Sequence, residues 1–242
     1  MIKVDEGTLA IVTGAAKGNG KAIADIIEEA GARVIRVDLL KCNKDEDSFI
    51  GEITNDGLIK NVVDYCSKQN YKTLVLINNA GVTFPNDYPY PKSDWDNTIA
   101  VNLSAPFKWI EAFIPLFKEV KNASIINITS LGAELAFPNN PAYIASKGGL
   151  KMLTKFYAKS LGGYGVRVNN VGPGYIVTDM TKGSYANQVT KERREKHPFL
   201  GRWGLPVDIA GVCVFLCAEE SKYVTGQDIY VDGGWMANGL VE

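Results

Sequence analysis

Short runs rich in β-branched residues recur along the chain: TLAIV (8–12), ARVIRV (32–37), SFIGEI (48–53), TLVLI (73–77), SIINI (124–128), VRVNNV (166–171) and DIYV (228–231). Longer segments of helical period separate them, with helices expected over Gly20–Ala30, Gly57–Lys68, Ser93–Lys118, Pro141–Leu161 and Pro206–Ala218. Regular alternation of this kind builds strand–helix–strand units, which lay their strands side by side in one direction and their helices across the faces. The pattern predicts an α/β fold, a doubly wound parallel sheet of about seven strands with helices on both faces. Ligands of such sheets bind outside the C-terminal ends of the strands. The residues that follow each run are therefore the ones to inspect for chemistry.

A chain of 242 residues suits one such domain, and an apolar fraction of 46% is ample for its core. No internal repeat, low-complexity linker or break in composition divides it, so residues 1–242 are read as a single domain. Pro106 and Pro115 lie inside the helical pattern over Ser93–Lys118 and predict a kink or break there. The polar stretch TKGSYANQVTKERREKHPFLGRWG is long for a connection, and the region around 178–204 is expected to be a substrate lid. Net charge is −1 with both signs interspersed, which leaves no electrostatic footprint for nucleic acid or an anionic membrane. The opening MIKVDEG has no apolar signal region, and no run approaches the ~18 apolar residues of a membrane span. A cytoplasmic protein is expected. Cys42, Cys66, Cys213 and Cys217 show no disulfide spacing; Cys213 and Cys217, four apart in IAGVCVFLCA, read as core packing rather than a metal pair. His197, the only histidine, reads as a solvated loop residue, and no metal site is expected.

The first strand-like run leads into TGAAKGNG, Thr13 to Gly20, and then a helix. A triphosphate-binding loop would need a glycine where Ala15 stands and a hydroxyl where Ala22 stands. A dinucleotide loop needs glycines for the tight turn, for backbone approach to pyrophosphate and for helix–strand packing. Gly14, Gly18 and Gly20 supply these at a G-x-x-x-G-x-G spacing, and the helix that follows would aim free N–H groups at the phosphates. After the fourth run, NNAGV (78–82) has residues small enough for backbone to pass beneath an adenosine or ribose. After the fifth, Ser130 ends NITS, and thirteen residues on comes YIASK (143–147). Tyr143 and Lys147 are four apart and share a helix face. An ammonium beside a phenol favours the phenolate, which suits Tyr143 to acid/base work near neutral pH.

Taken in order, TGAAKGNG, NNAG, Asn102 in VNL, Ser130, YIASK, NNVGPGYIVTDM and GRWGLPVDIA…YVTGQDIYVDGG resemble the short-chain dehydrogenase/reductase family over nearly the whole chain. The closing pattern is similar to its ketoacyl-reductase and polyol-dehydrogenase branch. The resemblance implies a single Rossmann domain and assigns roles. Tyr143 would be the acid/base; Lys147 would lower its pKa and bind the nicotinamide ribose. Ser130 would hold the substrate oxygen, and Asn102 would anchor a water that leads from Lys147 to solvent. Thr178 and the Ile176 backbone would take the carboxamide, with Pro173 and Gly174 beside them. Thr13, Gly14, Lys17, Gly18, Asn19 and Gly20 would form the phosphate loop. Asn79, Ala80 and Gly81 would lie along the adenosine side, with Glu52 and Ile53 near the adenine. Two departures stand out: Asn19 occupies a position that is usually apolar, and Glu52 one that is usually Asp.

The implied activity is hydride transfer between a nicotinamide cofactor and a secondary alcohol or ketone; a non-catalytic dinucleotide sensor is the distant alternative, set against the presence of all four catalytic groups. Asp38, closing VIRVD, can accept from ribose hydroxyls and repel a 2′-phosphate, so NAD is expected over NADP. Lys17 argues the other way, but Leu39 stands where an arginine would clamp that phosphate, and Arg36 is expected to pack along the strand. Candidate substrate contacts are Ser130, Tyr143, Asn140 and Tyr175, with Val82, Thr83, Glu134, Asn139, Ser184, Tyr185 and Asn187 around them. Their polarity suits a sugar, polyol or sugar acid, with an NADPH-dependent 3-ketoacyl or other carbonyl reductase as the alternative. The family's habit of pairing helices and its last strand implies a homotetramer, with Trp109, Phe113 and Phe117 and the tail WMANGLVE expected at contacts between copies.

Overall fold

The computed structural model describes residues 2–42 and 47–239. Its strands are β1 (Thr8–Thr13), β2 (Arg33–Asp38), β3 (Ser48–Ile50), β4 (Thr73–Asn78), β5 (Asn122–Ile128), β6 (Val166–Pro173) and β7 (Asp228–Val231). They form one sheet in the order β3-β2-β1-β4-β5-β6-β7. Every neighbouring pair is parallel. The order reverses between β1 and β4, where connections leave in opposite directions and open a crevice at the strands' C-terminal ends.

Eight α-helices cover the faces: α1 (Gly18–Glu29), α2 (Asp56–Cys66), α3 (Lys92–Ile99), α4 (Ala105–Glu119), α5 (Pro141–Leu161), α6 (Lys182–Ala186), α7 (Gln188–Lys196) and α8 (Pro206–Cys217). The two-residue period of a strand sends alternate side chains to opposite faces. On β1, Ala10 and Val12 enter a core shared with Ile23, Ile27, Ile209 and Cys213 of α1 and α8. Leu9 and Ile11 enter the other, with Ile59, Trp109, Phe113 and Phe117 of α2 and α4. β1 and β4 are buried along their whole lengths, which is why they read as continuous apolar runs rather than alternating ones. Cys213 and Cys217 are free and enclosed in the first core, where burial pushes both thiols up. Among the described residues no cluster could hold a metal, and no helix is long and apolar enough to cross a membrane.

Several expectations are corrected. The third run is a strand only over Ser48–Ile50; Gly51 still donates to the Asp38 carbonyl at 2.9 Å, but Glu52 begins a turn closed by Asn55 N–H. The long helix over 93–118 is interrupted at neither proline. Its break is a π-helical turn over Ala100–Ser104, while Pro106 sits in the first turn of α4, where no N–H is needed. Pro115 lies inside α4 without ending it, because Trp109, Phe113 and Phe117 anchor the helix from either side. Those three rings repeat every four residues and form the core-facing stripe of α4, stacked 6.0 Å apart, so they offer nothing to a second copy. Trp109 also donates its indole N–H to the Ile53 carbonyl at 2.9 Å. Arg36 does not run along the strand: it is 3% exposed and paired with Asp25 and Glu28 of α1 at 3.0 and 3.1 Å. His197 is half-buried against Trp235, with ring centres 4.1 Å apart. The last three residues of WMANGLVE lie outside the described residues, and Trp235 turns inward.

Candidate active site

The crevice between β1 and β4 is walled by backbone. Thr13, the last residue of β1, donates its hydroxyl to the Ile77 carbonyl and accepts from the amides of Asn79 and Ala80 at 3.0 and 3.2 Å. Asn79 returns its side-chain N–H groups to the carbonyls of Thr13 and Gly14. Its amide therefore ties the two strand ends together, a holding role in place of the expected adenosine contact by that nitrogen. A Cβ on Gly20 would fall 1.9 Å from the Gly14 carbonyl oxygen, and one on Gly14 would fall 2.9 Å from the Ala80 Cα. Gly14 and Gly18 also hold φ of 68° and 56°, where side chains strain the backbone. Lys17 precedes α1 without a side-chain cap, so the first amides of that helix face the loop with no protein partner supplied by the cap.

Above the loop, Thr178 lies 3.5 Å from where a Gly18 Cβ would be, and Lys17 pairs with Asp179 at 3.2 Å. Beside it, Asp38 accepts from Ala16 N–H at 2.9 Å and Leu40 N–H at 3.0 Å, one on each oxygen, leaving each a second lone pair. A backbone cradle at a helix N-terminus, with an acid at the end of the next strand, has the donors for a pyrophosphate and the acceptors for a ribose. Glu52 is exposed and Ile53 buried beside this wall. Asn19 departs at a cost in packing: its side-chain oxygen is enclosed without a hydrogen-bond partner.

Next along the crevice, the predicted catalytic groups come together. The π-helical turn places Asn102 fully buried against Val82, accepting from its N–H at 2.8 Å and donating to its carbonyl at 2.9 Å. Such turns re-aim a single residue within a helix and concentrate at functional sites. Asn102 also donates to the Ser146 hydroxyl at 3.2 Å, and Ser146 donates to the Tyr143 carbonyl at 2.7 Å. Lys147 is 4% exposed, donates to the Ile128 carbonyl at 2.8 Å, and lies 5.7 Å from the centre of the Tyr143 ring. A Cβ on Gly81 would lie 3.3 Å from the Asn102 side-chain oxygen and 3.7 Å from the Lys147 amine, so the chain passes close by both. Ser130, two residues past the end of β5, opens a tight turn, its oxygen accepting from Gly132 N–H at 3.1 Å.

The electrostatics differ from expectation. Burial without a counter-ion pushes Lys147 down to about 8. Burial also raises the Tyr143 phenol; a hydrogen bond from Ser130 pulls it back, and the nearby Tyr175 adds to the rise. The protein by itself thus holds Tyr143 protonated rather than as phenolate, because the low-dielectric site disfavours the charged form of both groups. Beneath them a buried relay unannounced by any motif joins the sheet: Asn78 donates to Asn127, Asn127 to Thr154, Thr154 to Asn170 and Asn170 to Asp228, at 2.6–2.8 Å.

The substrate side is only partly what the residues suggest. Asn140 caps the start of α5 and donates to the Thr83 hydroxyl at 2.7 Å, while its carboxamide oxygen is buried and unpartnered. Glu134 turns away to Lys151 and Tyr230; Asn139 bonds Asp87; Asn187 caps α7. These three are structural where pocket contacts were expected, since charged and amide partners lie closer than the crevice. Tyr175 stands inside a ring cluster with Phe137, Trp203 and Trp235 at 6.3, 5.5 and 4.9 Å, and Arg194 lies over its face. Sequence reasoning missed Phe137, Arg194, Trp203 and Trp235. Only Trp235, directly after the VDGG turn, carried a positional signal. The segment expected as a lid is no loop but α6 and α7, the latter packing Arg194 and, through Lys191, Tyr185 onto these rings.

A family model described as enoyl-(acyl carrier protein) reductase matches residues 14–236. The chain is 37% identical to the 3-oxoacyl-acyl-carrier-protein reductase FabG of Thermotoga maritima, over 95% of this chain and 98% of that protein. It belongs to the short-chain dehydrogenase/reductase family. Among solved structures of this family, a gluconate 5-dehydrogenase from Burkholderia cenocepacia in complex with NADP and tartrate superposes with a TM-score of 0.88 at 26% identity, covering 97% of each chain. A 4-hydroxyisoleucine dehydrogenase complexed with NADH gives 0.87 at 29% identity, covering 95% of this chain and 99% of that one. As a short-chain dehydrogenase/reductase, the protein is a nicotinamide-dependent oxidoreductase.

Proposed function

We propose that this short-chain dehydrogenase/reductase moves hydride between NAD(H) and a secondary alcohol or ketone on a small polyhydroxylated molecule, a sugar, polyol or sugar acid. The observation that carries the oxidoreductase half is the convergence of Ser130, Tyr143, Lys147 and Asn102 at one end of the crevice. The polyhydroxylated half is supported by the likeness to the gluconate 5-dehydrogenase of Burkholderia cenocepacia. Ser130 holds the reacting oxygen and Tyr143 exchanges its proton, donating in reduction and accepting in oxidation. Lys147 holds the cofactor ribose from below, fixed by the Ile128 carbonyl, and Asn102 sets the π turn that keeps Val82 and α5 in register with it. The nicotinamide, when bound, supplies or takes the hydride.

NAD is the reading for Asp38. A 2′-phosphate would meet a carboxylate already fixed by two backbone N–H groups. The segment 178–204 acts as the substrate lid. Copies of the chain assemble, as a homotetramer in this reading, through apolar side chains that α4 and α5 leave exposed: Phe107, Met152 and Phe156. A second reading, reduction of 3-ketoacyl thioesters, is favoured by the likeness to the Thermotoga reductase. Initial rates on a panel of sugars, polyols, sugar acids and 3-ketoacyl thioesters, each with NAD(H) and NADP(H), decide between them. The first reading expects activity on polyhydroxylated compounds and a preference for NAD that Asp38→Ser weakens at least tenfold. Activity confined to thioesters, or a wild-type preference for NADP, overturns the corresponding half.

A further inference from the structure

Beside Tyr175 lies a cavity of about 190 Å³, bounded by Tyr175, Arg194, Pro198, Leu200, Asp232 and Trp235. Its charges are unevenly matched. Arg202 is locked to Asp208 by two bonds of 2.7 and 3.0 Å, and Asp232 accepts from the amides of Gly234 and Met236, one on each oxygen. Arg194 alone among these arginines has neither an ion pair nor a hydrogen bond among the described residues. It is held instead by ring faces, its guanidinium carbon 4.1 Å from the centre of Tyr175 and 5.7 Å from that of Trp203. Stacking of this kind fixes the plane of a guanidinium while leaving its N–H edge free for a planar, bidentate anion.

The cavity adjoins the reacting centre. A Cβ on Gly132 would touch Phe137 at 3.2 Å and Tyr143 at 3.4 Å, so those two rings share one wall, and Phe137 packs in turn on Tyr175. Tyr175 thus stands close to both groups, the exchangeable proton of Tyr143 and the Arg194 donors. A substrate reaching both would carry its alcohol or ketone several bonds from an anionic end.

We infer that Arg194 anchors the carboxylate of the substrate, which makes that substrate a sugar acid of the aldonate type rather than a neutral sugar or polyol. The inference rests on the polyhydroxylated-substrate reading above and narrows it. A guanidinium fork matches a carboxylate in geometry and charge, and a neutral chain end would leave this cation unpaired in a half-buried cleft.

The test compares six-carbon aldonates with their own amides and with the matching alditols, using wild type, Arg194→Gln and Arg194→Lys. Wild type is expected to favour an aldonate over its amide by tenfold to a hundredfold in kcat/KM, the worth of one charge-assisted contact. Arg194→Gln should cut the ratio of aldonate to alditol kcat/KM by a similar factor, mainly through KM, and Arg194→Lys should restore part of it. The aldonate–amide comparison needs only wild type, so it stands even if a variant folds poorly. Equal rates on acid and amide, or a ratio untouched by Arg194→Gln, would overturn the inference while activity on alditols kept the broader reading. Activity on 3-ketoacyl thioesters alone would remove both, and is distinguishable because no polyhydroxylated compound would then react.

Discussion

Around residues 13–20 the chain packs so tightly that a single Cβ on Gly20 would sit 1.9 Å from a carbonyl oxygen, whereas around Tyr175 the wall consists of ring centres 4.9–6.3 Å apart. The first wall is main chain, shaped by what is absent from glycine, and in the proposed reading it faces the part of the ligand shared by every nicotinamide enzyme. The second is side chain, contributed by α7, the β6 loop and the segment after β7, and faces what differs between enzymes. A backbone wall tolerates almost no substitution. A side-chain wall can be rebuilt one ring at a time, which is how one scaffold hosts many substrates.

Between the two walls stands Tyr143, and the largest effect is expected there. Tyr143→Phe keeps the ring packed against Gly132 and Phe137 and removes only the exchangeable proton, so kcat should fall by about 10²–10⁴ while NADH binding stays within about twofold. Titrating NADH fluorescence alongside turnover separates the two. A variant that retained more than about a tenth of wild-type kcat, a barrier change under ~1.4 kcal/mol, would assign the proton to another group.

The contrast between the walls is sharpened by two glycines. Gly20→Ala forces a methyl group onto the Gly14 carbonyl and the Asn79 amide, neither the loose end of a long side chain, and should destabilise the protein by about 3 kcal/mol with loss of cofactor binding. Gly183 of α6 has nothing within 4 Å of the added methyl, so Gly183→Ala should be neutral or stabilise by up to ~1 kcal/mol. Thermal melts of both would break the comparison if the two changes had similar effects.

This difference also explains what was legible beforehand. The parallel sheet, the phosphate loop, Asp38, Ser130, Asn102, Tyr143 and Lys147 all lie at strand ends or at fixed helical offsets, so sequence spacing is spatial spacing. The cluster of Phe137, Tyr175, Arg194, Trp203 and Trp235 draws on five separated positions with no common period, and nothing local announces it. Trp109, Phe113 and Phe117 misled because a four-residue stripe is the same whether it faces a core or a partner. Arg36 misled because the acids that pair with it, Asp25 and Glu28, lie on the preceding helix.

Lys147 tests how deeply the centre of the crevice is desolvated. Its pKa stands at about 8 in the folded protein against 10.5 when unfolded, so between those values the unfolded chain binds the extra proton. Stability must therefore rise with pH across that window as the folded state sheds a buried charge, by about 3 kcal/mol for this group. Measured as a difference, wild type should gain that amount on Lys147→Met between pH 8 and 10.5 in denaturant titrations without cofactor. A difference that stays flat would mean water or an unseen counter-ion reaches the amine.

The smallest effect is expected where the walls meet. Lys17, before α1, and Asp179, in the 178–204 segment, are 3.2 Å apart but 59% and 68% exposed, and an ion pair so open to solvent and salt contributes under about 1 kcal/mol. In a double-mutant cycle of Lys17→Ala and Asp179→Asn, the coupling in stability should be no more than a few tenths of a kcal/mol and should vanish in high salt. A weak joint would let the 178–204 segment shift against the cradle without disturbing it, as the proposed lid role requires. Coupling above about 1.5 kcal/mol would mean that the two walls stand or fall together. The division between a fixed cofactor side and a variable substrate side would then not hold for this protein.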